Sequence, residues 1–587
     1  MLRVKVSNQI NVIVLLFFIV LPSLVFAQST DQRFEELLEQ HWNTYLKANP
    51  ELATGIGVRD YDQFLSDPSL AAYENEIIGA QGFLARAKDF NQQDLSQANQ
   101  LNQALFILEL ETQVEASKHG GKYMIMTNRG GPHLTLTNLV GRLPFFTLSD
   151  YQSYVARLAL MPEYLGKATE RLDAGLTAGW VQPCEPMQGF EKSIQTHLVQ
   201  QPSDSVFFEP FANKPSNISE RAFQKLKEIA LESIETGIIP AFKAFEKFYL
   251  ESYAPACREK VGTDSMPGGE DYYSHRVKLF TTTDLSADAV HELGQSEVAR
   301  IKNEMLEVIE QAEFNGSFEE WLIYLRDTPE FYPKTAAQRM EQVAAISKKI
   351  DGRLPELFGK LPRMPYGLKE IPADIAEKTT TAYYQRPAGD GSRAGFYYVN
   401  TSKLDTRPLY QLEALSLHEA VPGHHLQLAL AQELELPNFR KFGGVTVFVE
   451  GWGLYAERLG LEVGFYETPL TNFGRLSYEM WRACRLVVDT GLHSKGWTRQ
   501  QAIDFMTGNS GLSMNNIVSE IDRYITWPGQ ALAYKIGELK IRELRARAEK
   551  SLGDNFDVRS FHDKILENGA LPLSILEKLI DQWIEQQ

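Results

Sequence analysis

Cysteine is scarce in this chain of 587 residues, which contains three cysteines, at positions 184, 257 and 484. So few cysteines exclude a fold that is built mainly from disulfides. Cys184 and Cys257 each lie near a proline in loop-like sequence and could form one bridge. Cys484 lies in an apolar helical pattern, so we expect it to be buried and inert.

Positive charge is also in short supply, because 59 basic residues face 76 acidic ones and leave a net charge of −17. A surface of this sign repels nucleic acid and anionic lipid, so neither is expected as a partner. No internal repeat or low-complexity tract stands out. The glycine pairs at 120–121 and 130–131 lack the context of a phosphate-binding loop, which excludes that class of site.

One long apolar run occurs near the N-terminus, from Val12 to Leu21, after Arg3 and Lys5. It is too short for a comfortable membrane span and is followed by small residues up to Ala27, which is typical of a cleaved signal peptide. The sequence therefore predicts a signal at 1–27 and an exported protein, periplasmic or secreted, without stable membrane insertion after cleavage. Lipid attachment is not indicated, since no cysteine lies at the cleavage point.

Helical periodicity dominates the rest of the chain and predicts a mainly α fold. Apolar residues recur at three- and four-residue spacing in three clear segments: Ser219 to Ser252, Ser286 to Glu313 and Arg339 to Lys349. Ser286 is placed as an N-cap. The stretch from Asp351 to Pro372 is richer in proline and glycine. We predict an N-terminal helical lobe over 28–350 and a second, catalytic lobe over 351–587.

A small β element is predicted in the second lobe. Thr379 to Gln385 and Phe396 to Asn400 are rich in β-branched and aromatic residues, and a turn-forming segment joins them, which predicts a hairpin. The second of these strands, which contains Tyr398, is expected to lie at a sheet edge. There it could bind the backbone of an extended peptide through main-chain hydrogen bonds, or the hairpin could instead only brace the helix that follows it.

The most informative motif follows the hairpin, in the order His418-Glu419-Ala420-Val421-Pro422-Gly423-His424-His425. It resembles the His-Glu-x-x-His helix of zinc peptidases, where two histidines bind the metal and the glutamate acts as a general base. Proline occupies the position of the second histidine here. On an unbroken helix His424 would lie about 240° around and roughly 9 Å along from His418. We therefore expect Pro422 and Gly423 to deform the helix.

The identity of the second histidine ligand stays open between His424 and His425. Helix phase favours His425, which lies only about 20° off the face of His418 but roughly 10 Å away along the axis. A bulge at Pro422 would favour His424. Another His-Glu pair, at 291–292, has no second histidine nearby and is not expected to bind metal.

A third ligand is available on the next predicted helix. Glu450 stands 26 residues after His424 and shares a helix face with Glu457. Glu450 would complete a His, His, Glu set with one open coordination position, and Glu457 could orient a ligand histidine through its second ring nitrogen.

These residues resemble known peptidase families. Phe448-Val449-Glu450 with Glu457 is similar to the second zinc helix of the thimet oligopeptidases. Gly423-His424 matches the end of the motif in those enzymes and in angiotensin-converting enzyme, and dipeptidyl peptidase III has a related motif with one inserted residue. The whole motif resembles a large bacterial family catalogued as a domain of unknown function and grouped with these peptidases.

The resemblance implies a two-lobed helical metallopeptidase with a deep cleft, Zn²⁺ as cofactor, and small or unfolded peptides as substrates. Glu419 would be the general base. Tyr524, in an Arg-Tyr segment similar to that of angiotensin-converting enzyme, would donate to the substrate oxygen. His493, with Asp489 four residues before it, would hold the substrate or an active-site carboxylate.

Three cations, Arg393, Arg523 and Lys535, are candidates to meet a substrate carboxylate. Two other functions remain in view: a non-catalytic exported protein that binds metal or peptide, and a zinc hydrolase of a non-peptide amide. Glu419 argues against the first, because metal binding alone does not require it. A di-iron bundle is not supported, since paired Glu-x-x-His units are missing. The sequence does not decide between endopeptidase and exopeptidase, and it does not give the oligomeric state.

Overall fold

The computed structural model describes residues 28–377 and 379–587, so the predicted signal at 1–27 lies outside the described residues. The fold is mainly α, as the sequence predicts. The helices of the described residues are α1 (Thr30–Ala48), α2 (Pro50–Gly55), α3 (Leu70–Lys88), α4 (Gln97–Ala116), α5 (Pro132–Val140), α6 (Leu148–Ala178), α7 (Glu191–Gln195), α8 (Glu220–Ser233), α9 (Ile239–Phe248), α10 (Gly269–Thr281), α11 (Ala287–Gln311), α12 (Phe318–Asp327), α13 (Ala336–Asp351), α14 (Leu354–Leu357), α15 (Ala373–Ala376), α16 (Leu412–Glu419), α17 (His424–Glu433), α18 (Asn438–Phe442), α19 (Thr446–Leu459), α20 (Pro469–Ser494), α21 (Arg499–Asn509), α22 (Met514–Thr526), α23 (Ala533–Leu552), α24 (Val558–Leu566) and α25 (Leu573–Gln586).

Helix ends follow local sequence signals. Ser286 caps α11 as predicted, because its side chain accepts a hydrogen bond from the backbone N–H of Ala289. The periodic segment from Ser219 to Ser252 is helical but not uniform. A π-helical turn at Ile234–Ile238 separates α8 from α9, just before Pro240, which removes a backbone donor and loosens the helix at that point.

The sheet has three strands, β1 (Tyr366–Glu370), β2 (Ala382–Gln385) and β3 (Gly395–Val399), in the order β1-β3-β2. The predicted hairpin is confirmed, since β2 and β3 pair antiparallel. The prediction that the strand Phe396 to Asn400 lies at an edge is wrong. Strand β1 pairs with β3 in parallel on its other side, so β3 is central and its backbone groups are already used.

The largest hydrophobic core contains residues from both sides of position 350. The largest core combines residues from α1 and α4 with residues from α11 to α13 and from the helices after 400. Long helices α11 and α20 pack against each other. A second core lies within 126–253 and is built mainly by α6, α8 and α9. A hydrophobic core thus joins the site-bearing helices to the N-terminal ones.

Cys184 and Cys257 form a disulfide, which the sequence leaves open, and Cys484 is free and buried, as predicted. The bridge connects the segment after α6 to the segment after α9, so it closes a loop around part of the second core. None of the described helices is both long and apolar enough to cross a membrane.

Candidate metal centre

The helix that carries the motif is broken between Glu419 and His424. Helix α16 ends at Glu419, and Ala420 leaves helical geometry with φ −95° and ψ −111°. Helix α17 then begins at His424. The N–H of His425 donates to the carbonyl of Ala420 at 2.9 Å and closes the turn. The expected deformation is therefore a complete interruption, with the two histidines on separate helices.

Gly423 makes this turn possible because it lies against the end of α16. A Cβ at this position would be 1.9 Å from the carbonyl oxygen of His418 and 2.4 Å from that of Leu417. No residue other than glycine can approach the backbone so closely. The indole N–H of Trp452, on α19, donates to the carbonyl of Pro422 at 2.9 Å and fixes the turn from the other side.

The break brings together the side chains of His418, His424 and Glu450. One ligand atom from each lies within 4.8 Å of the other two. Oε2 of Glu450 is 3.7 Å from Nε2 of His418 and 3.4 Å from Nε2 of His424. The two imidazole rings are nearly perpendicular, with centroids 4.6 Å apart.

This arrangement fits a zinc ion. Zinc bonds of about 2.0–2.2 Å in a tetrahedral site place neighbouring ligand atoms about 3.4 Å apart, close to the separations from Glu450. Oε2 of Glu450 is a buried oxygen without a hydrogen-bond donor among the described residues. Such an atom is costly unless a cation or a donor reaches it. Three protein ligands leave one position open, which is typical of catalytic zinc sites.

Glu457 orients the first histidine. Nδ1 of His418 donates to Oε1 of Glu457 at 2.8 Å, so Nε2 is left to face Glu450 and His424. Arg482 lies 3.1 Å from the same carboxylate oxygen. Burial alone would lower the pKa of His418, but Glu450 and Glu457 raise it to about 9. Burial would raise the pKa of Glu450, and the two histidines lower it well below its usual value. The cluster therefore attracts positive charge.

Two glycines on α19 allow the close packing that the centre needs. A Cβ on Gly453 would lie 2.7 Å from Cε1 of His418, so the imidazole rests directly on the helix backbone between Glu450 and Glu457. A Cβ on Gly451 would lie 2.5 Å from Cα of Gly537. Helices α19 and α23 therefore cross with their backbones in contact, which brings Tyr534 of α23 close to the cluster.

Tyr534 is the aromatic residue that the sequence analysis missed. Its ring is roughly parallel to that of His418, with centroids 6.3 Å apart, and the residue is partly exposed. The guanidinium carbon of Arg485 lies 4.1 Å from its ring centroid. Burial and the charge of Glu450 raise the pKa of Tyr534, so its hydroxyl keeps its proton and remains a donor. The pattern Tyr534-x-x-Gly537 places a tyrosine one turn before the glycine at which α23 crosses α19. The pattern is informative only when the helix that crosses at Gly537 is known.

Glu419 is the last residue of α16 and is 8% exposed. It forms no hydrogen bond or ion pair with the described part of the chain, unlike Glu450 and Glu457. Burial raises its pKa, and the neighbouring histidines partly oppose that rise. A carboxylate that is free to exchange a proton beside the candidate metal ligands has the properties of a general base.

His425, the alternative ligand, is not part of the cluster. Its Nδ1 is 2.8 Å from the hydroxyl of Tyr384 in β2, and its ring packs against Tyr366 of β1 with centroids 4.7 Å apart. Burial lowers its pKa to about 4. This histidine anchors α17 to the sheet.

Tyr524 is held away from the role predicted for it. Its hydroxyl donates to Glu520 at 2.8 Å and accepts hydrogen bonds from Trp481 and Arg485, and the residue has 0% exposure. The hydroxyl proton is therefore committed to Glu520, and solvent does not reach it.

His493 and Asp489 also lie in the interior, one turn apart on α20. Nε2 of His493 is 3.0 Å from the carbonyl oxygen of Tyr524, and burial lowers the pKa of His493 to about 3. Asp489 accepts hydrogen bonds from the hydroxyl of Tyr273 and the N–H of Gly529, and burial raises its pKa to about 7. Both residues hold the end of α22 and the turn before α23, so they position Tyr534 indirectly.

The predicted substrate-binding residues have partners within the protein. Lys535 has 0% exposure and is paired with Glu297, Glu479 and Glu538. Arg523 is paired with Glu520 and also donates to Gln530. The other two stabilise the hairpin: Arg393 donates to the carbonyls of Arg386 and Gly55, and Tyr398 donates to Gln385.

Comparisons with known proteins give a family and a fold. A family model described as a bacterial protein of unknown function, DUF885, matches residues 50–580. A candidate lipoprotein from Colwellia psychrerythraea is 28% identical, with a TM-score of 0.90 over 96% of this chain and 100% of that chain. A candidate lipoprotein of unknown function from Shewanella oneidensis shares the fold at 18% identity, with a TM-score of 0.68 over 94% and 100%. No curated protein matches at a significant level.

The two adjacent histidines provide a matched test of the metal centre. His424→Ala should lose stoichiometric zinc, because it removes one of three protein ligands. His425→Ala should keep its zinc and lose about 1 kcal/mol of stability with the Tyr384 hydrogen bond. Metal analysis by mass spectrometry and thermal unfolding of both variants would check this. Zinc loss in His425→Ala with retention in His424→Ala would contradict the assignment.

Proposed function

This chain belongs to a bacterial protein family of unknown function, DUF885, and we propose that it is an exported zinc peptidase that cleaves small or unfolded peptides. The observation that carries the proposal is the conjunction of the His418, His424 and Glu450 cluster with an unpaired carboxylate, Glu419, at its side. A site that only bound metal would have no need of Glu419.

The residues present suit hydrolysis of an amide. A zinc ion held by the cluster would polarise the substrate carbonyl and acidify water. Glu419 accepts a proton from the attacking water and returns it to the leaving amine, which is the usual division of work for a general base and acid. Its raised pKa suits the second step, because a weaker acid holds the proton until the amine takes it.

Tyr534 would donate a hydrogen bond to the substrate oxygen as negative charge develops on it. Its position against His418 and its partial exposure favour it over Tyr524, whose proton is already used. Arg485 lies over the ring of Tyr534, and its positive charge makes the hydroxyl a stronger donor. Preorganised donors of this kind lower the barrier by roughly 3–4 kcal/mol.

Export is supported by three observations. The first 27 residues have the charge and apolar pattern of a signal peptide. Cys184 and Cys257 form a disulfide, which is typical of an oxidising compartment. The Colwellia neighbour is described as a candidate lipoprotein. We propose that the signal is cleaved close to Gln28.

Glu419→Gln tests the general base. The variant should retain zinc while peptide hydrolysis falls about 100- to 10,000-fold, because the amide cannot accept a proton from water. A peptide-library digest followed by mass spectrometry would measure both the rate and the cleavage positions. Glu435→Gln, at an exposed position, is the matched control and should keep full activity. Near-normal turnover by Glu419→Gln, or no cleavage by the zinc-loaded wild type, would contradict the proposal.

The two tyrosines can be separated by removing each hydroxyl. Tyr534→Phe should lower kcat about 100- to 1,000-fold with little change in zinc content or unfolding temperature. Tyr524→Phe should instead lower stability by about 1–3 kcal/mol, because it leaves the indole N–H of Trp481 and the Nε–H of Arg485 without the acceptor they now share. Steady-state kinetics and thermal unfolding measure the two effects. The reverse pattern would return the donor role to Tyr524.

The mature N-terminus tests export. Protein recovered from the periplasm or medium of the expressing bacterium should begin at or close to Gln28, as determined by N-terminal sequencing. Full-length chain that keeps Met1 in the membrane fraction would show that the apolar run is an anchor.

A further inference from the structure

Two arginines, Arg339 on α13 and Arg407 before α16, are buried without a carboxylate. They are 1% and 6% exposed, and neither forms an ion pair with any side chain that the structure describes. Arg339 donates to the carbonyl of Arg407, and Arg407 donates to the carbonyl and hydroxyl of Ser402. These partners are neutral, so two positive charges remain uncompensated in the interior.

The two arginines face a common small cavity of about 20 Å³. Its other polar lining residues include Thr379, Thr381 and Gln411. Nε of Arg339 and Nε2 of Gln411 are buried donors that have no acceptor among the described residues. Buried donors are almost always satisfied in native proteins. The cavity is therefore lined by two residues with unmet donors and by two positive charges.

The size and charge of the cavity restrict what can fill it. A volume of about 20 Å³ is enough for one water-sized group. A water molecule would satisfy donors but would leave both guanidinium charges uncompensated, which is costly in a buried site. The two guanidinium groups are close enough to interact: burial and the charge of Arg339 lower the pKa of Arg407 to about 10.

We propose that Arg339 and Arg407 bind a small monovalent anion, a halide such as chloride, in this cavity. The anion would join α13 to the segment before α16, and the cavity also touches Leu412 and Leu415 of α16. Leu415 lies one turn before Glu419 on the same helix face. The ion would thus fix the start of the helix that carries His418 and Glu419. This site is separate from the candidate metal centre and does not depend on the proposed activity.

Bromide provides a direct test with the wild-type protein. Crystals grown in sodium bromide should show an anomalous diffraction peak between the two guanidinium groups. In solution, chloride should raise the unfolding temperature in a saturable way by about 1–3 °C relative to gluconate at equal ionic strength. Acetate in a third arm tests whether a carboxylate binds instead of a halide.

A variant pair controls for general salt effects. Arg407→Gln should abolish the difference between chloride and gluconate, whereas Arg353→Gln, which removes a surface arginine paired with Glu356, should keep it. The bromide crystals decide the matter even if Arg407→Gln does not fold. Absence of the anomalous peak, equal stability in chloride and gluconate, or stabilisation by acetate alone would overturn the proposal.

Discussion

The break in the chain after Glu419 is the constraint on which the rest of the candidate centre depends. It turns two residues that a continuous helix would separate into neighbours whose rings nearly touch. Helix α19 controls both sides of this arrangement. Trp452 holds the carbonyl of Pro422 in the turn, and Glu450, two residues earlier, faces both histidines. A shift of α19 would therefore disturb the turn and the ligand together, and the tight backbone crossing with α23 opposes such a shift.

Two buried charge networks meet beside the cluster. In one, Glu457 pairs with Arg482 and His418. In the other, Glu520 accepts from Arg485 and from two further arginines, Arg129 and Arg523. Arg482 and Arg485 both lie over the ring of Tyr534. Breaking one member of a buried ionic group leaves an uncompensated charge. The networks therefore hold the helices around the cluster rigidly. The same pairing leaves these arginines without a free charge for a substrate.

The sequence predicts the parts of this protein that depend on local spacing. Motif spacing selects His418, Glu450 and Glu457, but it leaves the choice between His424 and His425 open, and only the break after Glu419 places His424 in the cluster. The predictions that the structure contradicts concern residues whose roles depend on partners distant in the sequence. Tyr524 and Tyr534 are ten residues apart, on helices separated by a glycine turn, and only the packing of α19 on α23 distinguishes them. The strand Phe396 to Asn400 is central because β1, well upstream, pairs with it. No local sequence pattern predicts a parallel neighbour. Lys535 has the sequence pattern of a cation that could bind a substrate carboxylate, because its three glutamate partners lie on other turns and other helices.

Gly453 sets a requirement for the cluster that the two histidines alone do not reveal. On α19 it separates the two glutamates in the order Glu450-x-x-Gly453-x-x-x-Glu457, and its missing side chain is the space that the imidazole of His418 fills. A relative that keeps both histidines but has a larger residue here would retain the fold and lose the ring position. Such chains would carry the motif without the cluster of His418, His424 and Glu450. A glycine at this position is therefore a better sign of an assembled cluster in a homologue than the two histidines are.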